Sequence, residues 1–377
     1  MGENIVKWVW QDERYPEFPY NFELLKDVLA KIEYNRGVLD GLVKVFKSRD
    51  VKELEIDALT AEALYTSEIE GELFERSSVR SSVRKKLDEN FNLDKDSSTH
   101  RSDALVAVLI DANINSNPLT LERLHGWHNA LFSSGYDLLS KINIARFRED
   151  DNMEVVSGAI GHEKVHYKAP PVKNINSDID SFLKWCSSSQ ENVYIKSALA
   201  HLWFVVVHPY DDGNGRIARA ISDYILADIF DWDFKLFSFS SAINSDRKGY
   251  YSVLDRTTNL ILNRGYDFTL WIEWYLKTLN SALESALINV ESVITKTKFW
   301  DRCRDKKLNT RQLKVLNKIW DNGGVEFEGG LSTKKYMAIA KTSRATAVRD
   351  INELLEYGCL EKIDGSAGRN VRYVVSS

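Results

Sequence analysis

The sequence predicts a mainly α protein assembled from more than one domain. Apolar residues recur at helical spacing along most of its 377 residues. Strand-like alternation is confined to two stretches, one ending near Tyr167 and one at the C-terminal end. A chain of this length, 44% hydrophobic and 28% charged, has the composition of a soluble globular protein of two or three domains.

In order along the chain, the aromatic segment WVWQDERYPEFPYNF is too irregular for a helix. Phe22, Leu25, Val28, Leu29 and Ile32 then share a helix face, and a second run, GVLDGLVKVF, starts at Gly37. Residues 1–50 are therefore read as a small helical N-terminal domain. Helical spacing from Val51 to Tyr65 ends at TSEIEGE, and a further helix spans Ser77–Asp88 before a polar loop. Residues 51–95 form that second region.

Residues 96–298 are read as the core domain. It opens with two helices within 101–135, the second capped by Thr120. MEVVSGAIGHEKVHY, broken by two glycines, reads as a short hairpin. Helices follow at Asp178–Ser187, Tyr194–Val207, Arg216–Ile229, Tyr250–Leu262 and Phe268–Lys296.

Residues 299–377 give a helix at Thr310–Trp320, a glycine-rich turn and a helix from near Ser332. A third helix carries the stripe Ala345, Val348, Ile351, Leu354 and Leu355, and two alternating segments close the chain. Helix, helix, helix, hairpin is the plan of a winged helix-turn-helix.

Net charge is −5, so the whole molecule is no bulk polyanion binder. Residues 301–377 nevertheless carry 15 Lys+Arg against 10 Asp+Glu. Ser343, Arg344, Thr346 and Arg349 near the start of the third helix, with Arg369 and Arg372 at the wing, suit DNA contact. Protein contact or a homodimer is the other use of such a module. Three scattered cysteines argue against a disulfide framework or zinc site and fit a reducing compartment. The start lacks a secretory signal, and the longest apolar run, LWFVVV, is far short of the ~20 residues of a membrane helix. The expected location is cytoplasmic, with no membrane partner.

The chemistry concentrates in VVVHPYDDGNGRIARA, residues 205–220. A glycine-rich turn opening a helix presents free backbone N–H groups at the positive end of the helix dipole. Gly213 and Gly215 permit the turn, and Asn214 can add a donor. Asp212 can hold a divalent cation, and Arg216 and Arg219 lie about one turn apart on one helix face. His208 has a proton affinity suited to neutral pH. Base, metal ligand, anion cradle and two guanidinium groups together describe phosphoryl or nucleotidyl transfer. Taken singly, the Asp-Gly and Asn-Gly pairs are ordinary turn chemistry. GNGRIA also matches a dinucleotide-binding turn, but the preceding run keeps helical spacing and no βαβ succession surrounds it.

The ordered string His208-Pro209-Tyr210-Asp211-Asp212-Gly213-Asn214-Gly215-Arg216-Ile217-Ala218-Arg219 resembles the signature of the Fic (filamentation induced by cAMP) family, HPFx(D/E)GNGRxxR. Tyr210 replaces its phenylalanine, so a hydroxyl needs a partner. Phe147-Arg148, Pro170-Pro171 and DRKGYY at 246–251 are similar to family landmarks. The resemblance covers about residues 55–285.

It implies an all-helical core with a β-hairpin flap, and AMP transfer from ATP to a hydroxyl side chain of a target protein. By position, His208 is the base, Asp212 holds Mg²⁺, and Gly213, Asn214 and Gly215 form the anion hole. Arg216 and Arg219 meet the departing phosphates. The hairpin near Val155–His162 is the flap that aligns the target by strand addition. Tyr251 and Leu254 line the adenine pocket, with plain core packing as their other reading.

Thr66, Glu70 and Gly71 resemble the family's inhibitory motif (S/T)xxxE(G/N), here on an N-terminal helix of the same chain. The resemblance implies a Glu70–Arg219 ion pair that withholds the arginine from the γ-phosphate. Two further functions stay open: removal of AMP by hydrolysis, and transcription regulation with the core as nucleotide sensor.

Overall fold

The computed structural model describes residues 7–44, 46, 48–88, 91–114, 117–132, 136–137, 140–157, 164–230, 235–324, 327–363 and 371–376. The chain is mainly α, and it divides after Leu287 into two compact units. The stretches read as N-terminal domain, inhibitory region and nearly all of the core thus fall in one unit.

The first unit begins with α1 (Lys26–Val43), α2 (Ser48–Ile69) and α3 (Arg76–Leu87). α1 is one continuous helix through Gly37 and Gly41, where two apolar runs were expected. Phe22, placed on its apolar stripe by spacing, is 45% exposed and belongs to a preceding 3₁₀ turn. α2 begins earlier than its apolar pattern and continues to Ile69, so Thr66 sits in its last turn.

α2 packs on α3 and on α4 (His100–Ile114) through Ile56, Leu59, Ala63, Val79, Val83, Val106 and Leu109. α5 (Leu121–Leu131) follows, with the Thr120 hydroxyl accepting from Arg123 N as its cap. Two short antiparallel pairs come next: β1 (Tyr136–Asp137) with β2 (Ser140–Lys141), and β3 (Glu154–Ser157) with β4 (Lys164–Lys168). The tip of the expected flap, 158–163, lies outside the described residues.

α6 (Val172–Ser188) starts immediately after Pro171, six residues before the apolar pattern did. α7 (Val193–Val207) is buried nearly all round, as its unbroken apolarity requires, and Asn192 caps it by accepting from Tyr194 N and Ile195 N. α8 (Asn214–Leu226) lies against α7, and the two share a core of Phe182, Trp203, Phe204, Tyr210, Ile217 and Ile221. α9 (Phe239–Ser245), not foreseen, precedes α10 (Arg247–Thr258). α11 (Thr269–Cys303) begins in the first unit and ends in the second.

A buried ion cluster ties α2 to α8. Lys235 Nζ lies 3.5 Å from Glu62 and also pairs with Asp223, and all three residues are under 5% exposed. Glu62 further accepts from Ser238 Oγ at 2.9 Å and from Ser240 N. Removing one member leaves buried charge without its counterion. Lys235→Ala is therefore expected to cost about 3–5 kcal/mol, read as a lowered thermal midpoint of the full chain.

The second unit contains α12 (Thr310–Trp320), α13 (Thr333–Ala340), α14 (Arg344–Glu356) and an antiparallel pair, β5 (Leu360–Lys362) with β6 (Tyr373–Val375). Its helices converge on buried Asp350, which accepts from Arg311 Nε at 2.8 Å and from Tyr336 Oη at 2.9 Å. The stripe of α14 differs from the expected one. Ala347, Ile351 and Leu354 are buried, whereas Ala345 and Val348 are exposed beside Arg344 and Arg349. Arg369 lies outside the described residues. Cys303 and Cys359, far apart in sequence, place their sulfurs 2.9 Å apart in this core.

Candidate active site

The site begins where α7 stops. His208 caps that helix in the left-handed region, φ 48 and ψ 58, its N–H donating to Phe204 O at 3.0 Å. A non-glycine residue holds such angles only when its surroundings enforce them. Arg148 does so. Its backbone N donates to Pro209 O at 2.9 Å and its Nε to His208 O at 2.8 Å. Its terminal nitrogens donate to the carbonyls of Asp150 and Pro170. The Phe-Arg and Pro-Pro landmarks therefore have a mechanical part: together they pin the backbone that aims the histidine.

His208 Nδ1 lies 3.3 Å from Val205 O. A carbonyl can only accept, so Nδ1 carries the hydrogen and Nε2 keeps its lone pair. Burial pushes the imidazole down to about 4, so it is neutral at neutral pH and able to accept a proton.

Tyr210 fills the space below the turn. Its hydroxyl meets His125 Nδ1 at 3.0 Å, and its ring stacks on His128 with centroids 4.2 Å apart. His125 thus supplies the partner that the departure from phenylalanine demanded. Asn214 uses its carboxamide on the turn itself, accepting from Tyr210 N at 3.0 Å and donating to Tyr210 O at 2.8 Å. These two bonds hold the loop closed.

Gly213 has φ 81, and a Cβ there would overlap the Phe132 ring. α8 starts without a side-chain cap, which leaves its first amides for an anion. Asp212 Oδ1 accepts from Gly213 N at 2.6 Å, and its other oxygen is 3.8 Å from Arg216 Nη2.

The end of α2 closes over both arginines. Arg219, 1% exposed, donates from Nε to Thr66 Oγ1 at 2.7 Å and from Nη2 to Thr66 O at 2.8 Å. Nη2 also donates to Glu70 Oε1 at 2.7 Å. Gly71, at φ 84, turns the chain away directly afterwards. A Cβ on Gly215 would overlap Glu70 Oε1, so this carboxylate lies directly on the turn. Arg216 pairs with Glu72, a contact that its place two residues beyond Glu70 could have suggested.

A cleft of about 520 Å³ lies beside the turn. Glu70, His208 and Gly215 line one part of its wall, and Val155, His166 and Tyr167 of the hairpin strands contribute another. Tyr251 and Leu254 line it, and Arg247, Asp255 and Thr258, which spacing had not singled out, do so too. The Tyr251 hydroxyl donates to Ile69 O at 3.1 Å, tying this wall to the end of α2.

Among the described residues, two buried guanidinium nitrogens, Arg216 Nε and Arg219 Nη1, make no hydrogen bond. Buried unmatched donors beside an uncapped helix start suit a polyanion. Among the described residues no group of three or more His, Cys, Asp or Glu could hold a metal. Asp212 alone suits a Mg²⁺ ion that shares phosphate oxygens and water.

Residues 118–226 match the Fic/DOC family, and residues 8–88 match a domain of unknown function, DUF4172. The uridine 5'-monophosphate transferase of Xanthomonas campestris pv. campestris (strain 8004) is 25% identical over 125 residues. That match takes in 29% of this chain and 21% of the relative, so the chain spans about a fifth of its length.

A Fic family protein from Desulfovibrio desulfuricans G20 is 18% identical and covers 96% of this chain and 98% of its own, with a TM-score of 0.55. A Fic domain containing signaling protein from Bacteroides thetaiotaomicron VPI-5482 is also 18% identical, covering 72% and 97%, with a TM-score of 0.51. At such identities the likeness is one of fold. Residues 118–226, which hold His208, the glycine turn and both arginines, are a Fic/DOC family domain.

Proposed function

We propose that the protein is a self-inhibited adenylyltransferase that moves AMP from ATP to a hydroxyl side chain of a target protein. The observation that carries this reading is the joint placement of neutral His208 and buried Arg219 around one turn, with Thr66 and Glu70 occupying the arginine. The matched relative named for UMP transfer supports nucleotidyl transfer as the reaction class.

The target oxygen attacks the α-phosphorus, its proton passes to His208 Nε2, and the bond to the β-phosphate oxygen breaks. Pyrophosphate leaves toward the arginines. The amides at the start of α8 stabilise charge on the α-phosphate. Mg²⁺, held by Asp212 and the phosphates, would supply further charge neutralisation. Glu70 opposes all of this in the resting chain by keeping Arg219 from the γ-phosphate.

Incubation of a lysate with the Glu70→Gly chain and ATP labelled at either the α- or the γ-phosphorus tests the reaction. Protein labelled from the α position alone supports AMP transfer. Label from γ, or from neither, sinks it. Competition by unlabelled UTP against ATP reads the choice of base.

A second reading concerns residues 301–377. The exposed Arg344 and Arg349 on α14, with the local excess of positive charge, suit a nucleic-acid backbone. Each arginine-to-alanine change is expected to lower the salt slope of DNA binding by about one, measured by fluorescence anisotropy on genomic fragments.

A further inference from the structure

Glu72 stands two residues beyond Glu70, across the Gly71 turn. Its Oε2 accepts from Arg216 Nη1 at 2.8 Å, and its Oε1 pairs with Arg101 at the start of α4. Arg216 is held from other directions as well. Its side chain is 8% exposed, its Cζ lies 4.8 Å from the Phe132 ring centroid, and its Nη2 lies 3.8 Å from Asp212. Both terminal nitrogens and one face thus have neighbours, while the buried Nε–H makes no hydrogen bond among the described residues.

Two acids flank one glycine, yet their surroundings differ. Glu70 lines the cleft and lies on Gly215, where a bound phosphate would sit. Glu72 and Arg216 both lie behind that lining, to which Gly215, next to Arg216, contributes, and the negative charge of Glu72 is shared with Arg101.

We propose that Glu72 is a positioning residue: it fixes the Arg216 guanidinium from outside the cleft, so that the unmatched Nε–H is set for a nucleotide phosphate. The inference rests on the reading of the site as a nucleotide site. A long side chain held in its working rotamer before binding loses less freedom on meeting its ligand. The two acids therefore act in opposite directions, Glu70 withholding Arg219 and Glu72 readying Arg216.

The test is calorimetric titration of ATP with Mg²⁺ into the full Glu70→Gly chain, alone and with Glu72→Ala or Glu72→Gln added. Each variant is first shown to be folded by its thermal melt. Glu72→Ala is expected to weaken ATP binding roughly tenfold, and Glu72→Gln, which still offers Nη1 an acceptor, to recover most of that loss. Arg101→Gln weakens binding about threefold by loosening Glu72, and stands in if Glu72→Ala does not fold.

Unchanged affinity across these variants overturns the proposal and leaves Glu72 a structural tether. Tighter binding in both Glu72 variants also overturns it, because Glu72 would then be a second brake. Failure of the folded Glu70→Gly chain itself to bind ATP defeats the nucleotide-site reading first, and the positioning role falls with it.

Discussion

His208→Ala, placed in the Glu70→Gly chain, is expected to lower AMP transfer by roughly 10²–10⁴-fold while leaving the fold intact. Among the described residues the side chain makes one polar contact, Nδ1–H to Val205 O, and the loop is pinned by Arg148 through backbone carbonyls rather than through the imidazole. On the proposed reading, the lost group would then be the proton acceptor and little else. A drop of that size corresponds to about 3–5 kcal/mol of barrier.

The pH dependence follows from the same environment. The pKa of His208 is held near 4 by burial, so the rate should stay level from about pH 8 down to about pH 5 and fall below that. A break near 6.5 would mean that the base is exposed or is another group. Stability shares the sign. Unfolded imidazoles take up protons near pH 6.5, whereas His208 and His128 resist until about 4 and His201 until about 3. Acid between those values therefore favours unfolding.

The second large effect runs the other way. Glu70→Gly is expected to raise AMP transfer and self-modification roughly 10–100-fold over the parent chain. On the proposed reading, one charge-assisted hydrogen bond, worth about 1.5–3 kcal/mol, would compete with the γ-phosphate for Arg219. Glu70→Gln should give a smaller rise, because it drops the charge but keeps an acceptor for Nη2. Thr66 continues to hold Nε in both variants, so Arg219 stays ordered and ready for phosphate. Labelling from α-labelled ATP at matched protein concentration reads the effect, and an unchanged level removes Glu70 from the role of brake.

Much of this was legible in the chain because the informative residues lie close together in sequence. The run from His208 to Arg219 forms one helix end, one turn and one helix start, whose geometry local rules prescribe. Thr66 and Glu70 are likewise neighbours across one helical turn. Errors arose where burial overrode spacing. The apolar stripe of α14 is rotated from its expected register because Tyr336, Leu360 and Val375 decide which side of the helix is covered. Nor does anything in the string say that the Asn214 carboxamide closes on Tyr210.

By itself, then, the sequence determined the helical class, the glycine turn after His208 and the helix end that carries Thr66 and Glu70, all products of contacts a few residues apart. Only the tertiary structure decided that Arg148 pins His208 from 60 positions away, that His125 answers the Tyr210 hydroxyl, and that Glu72, itself paired with Arg101, holds Arg216. These are contacts between side chains whose meeting depends on the packing of whole helices, which no local pattern encodes.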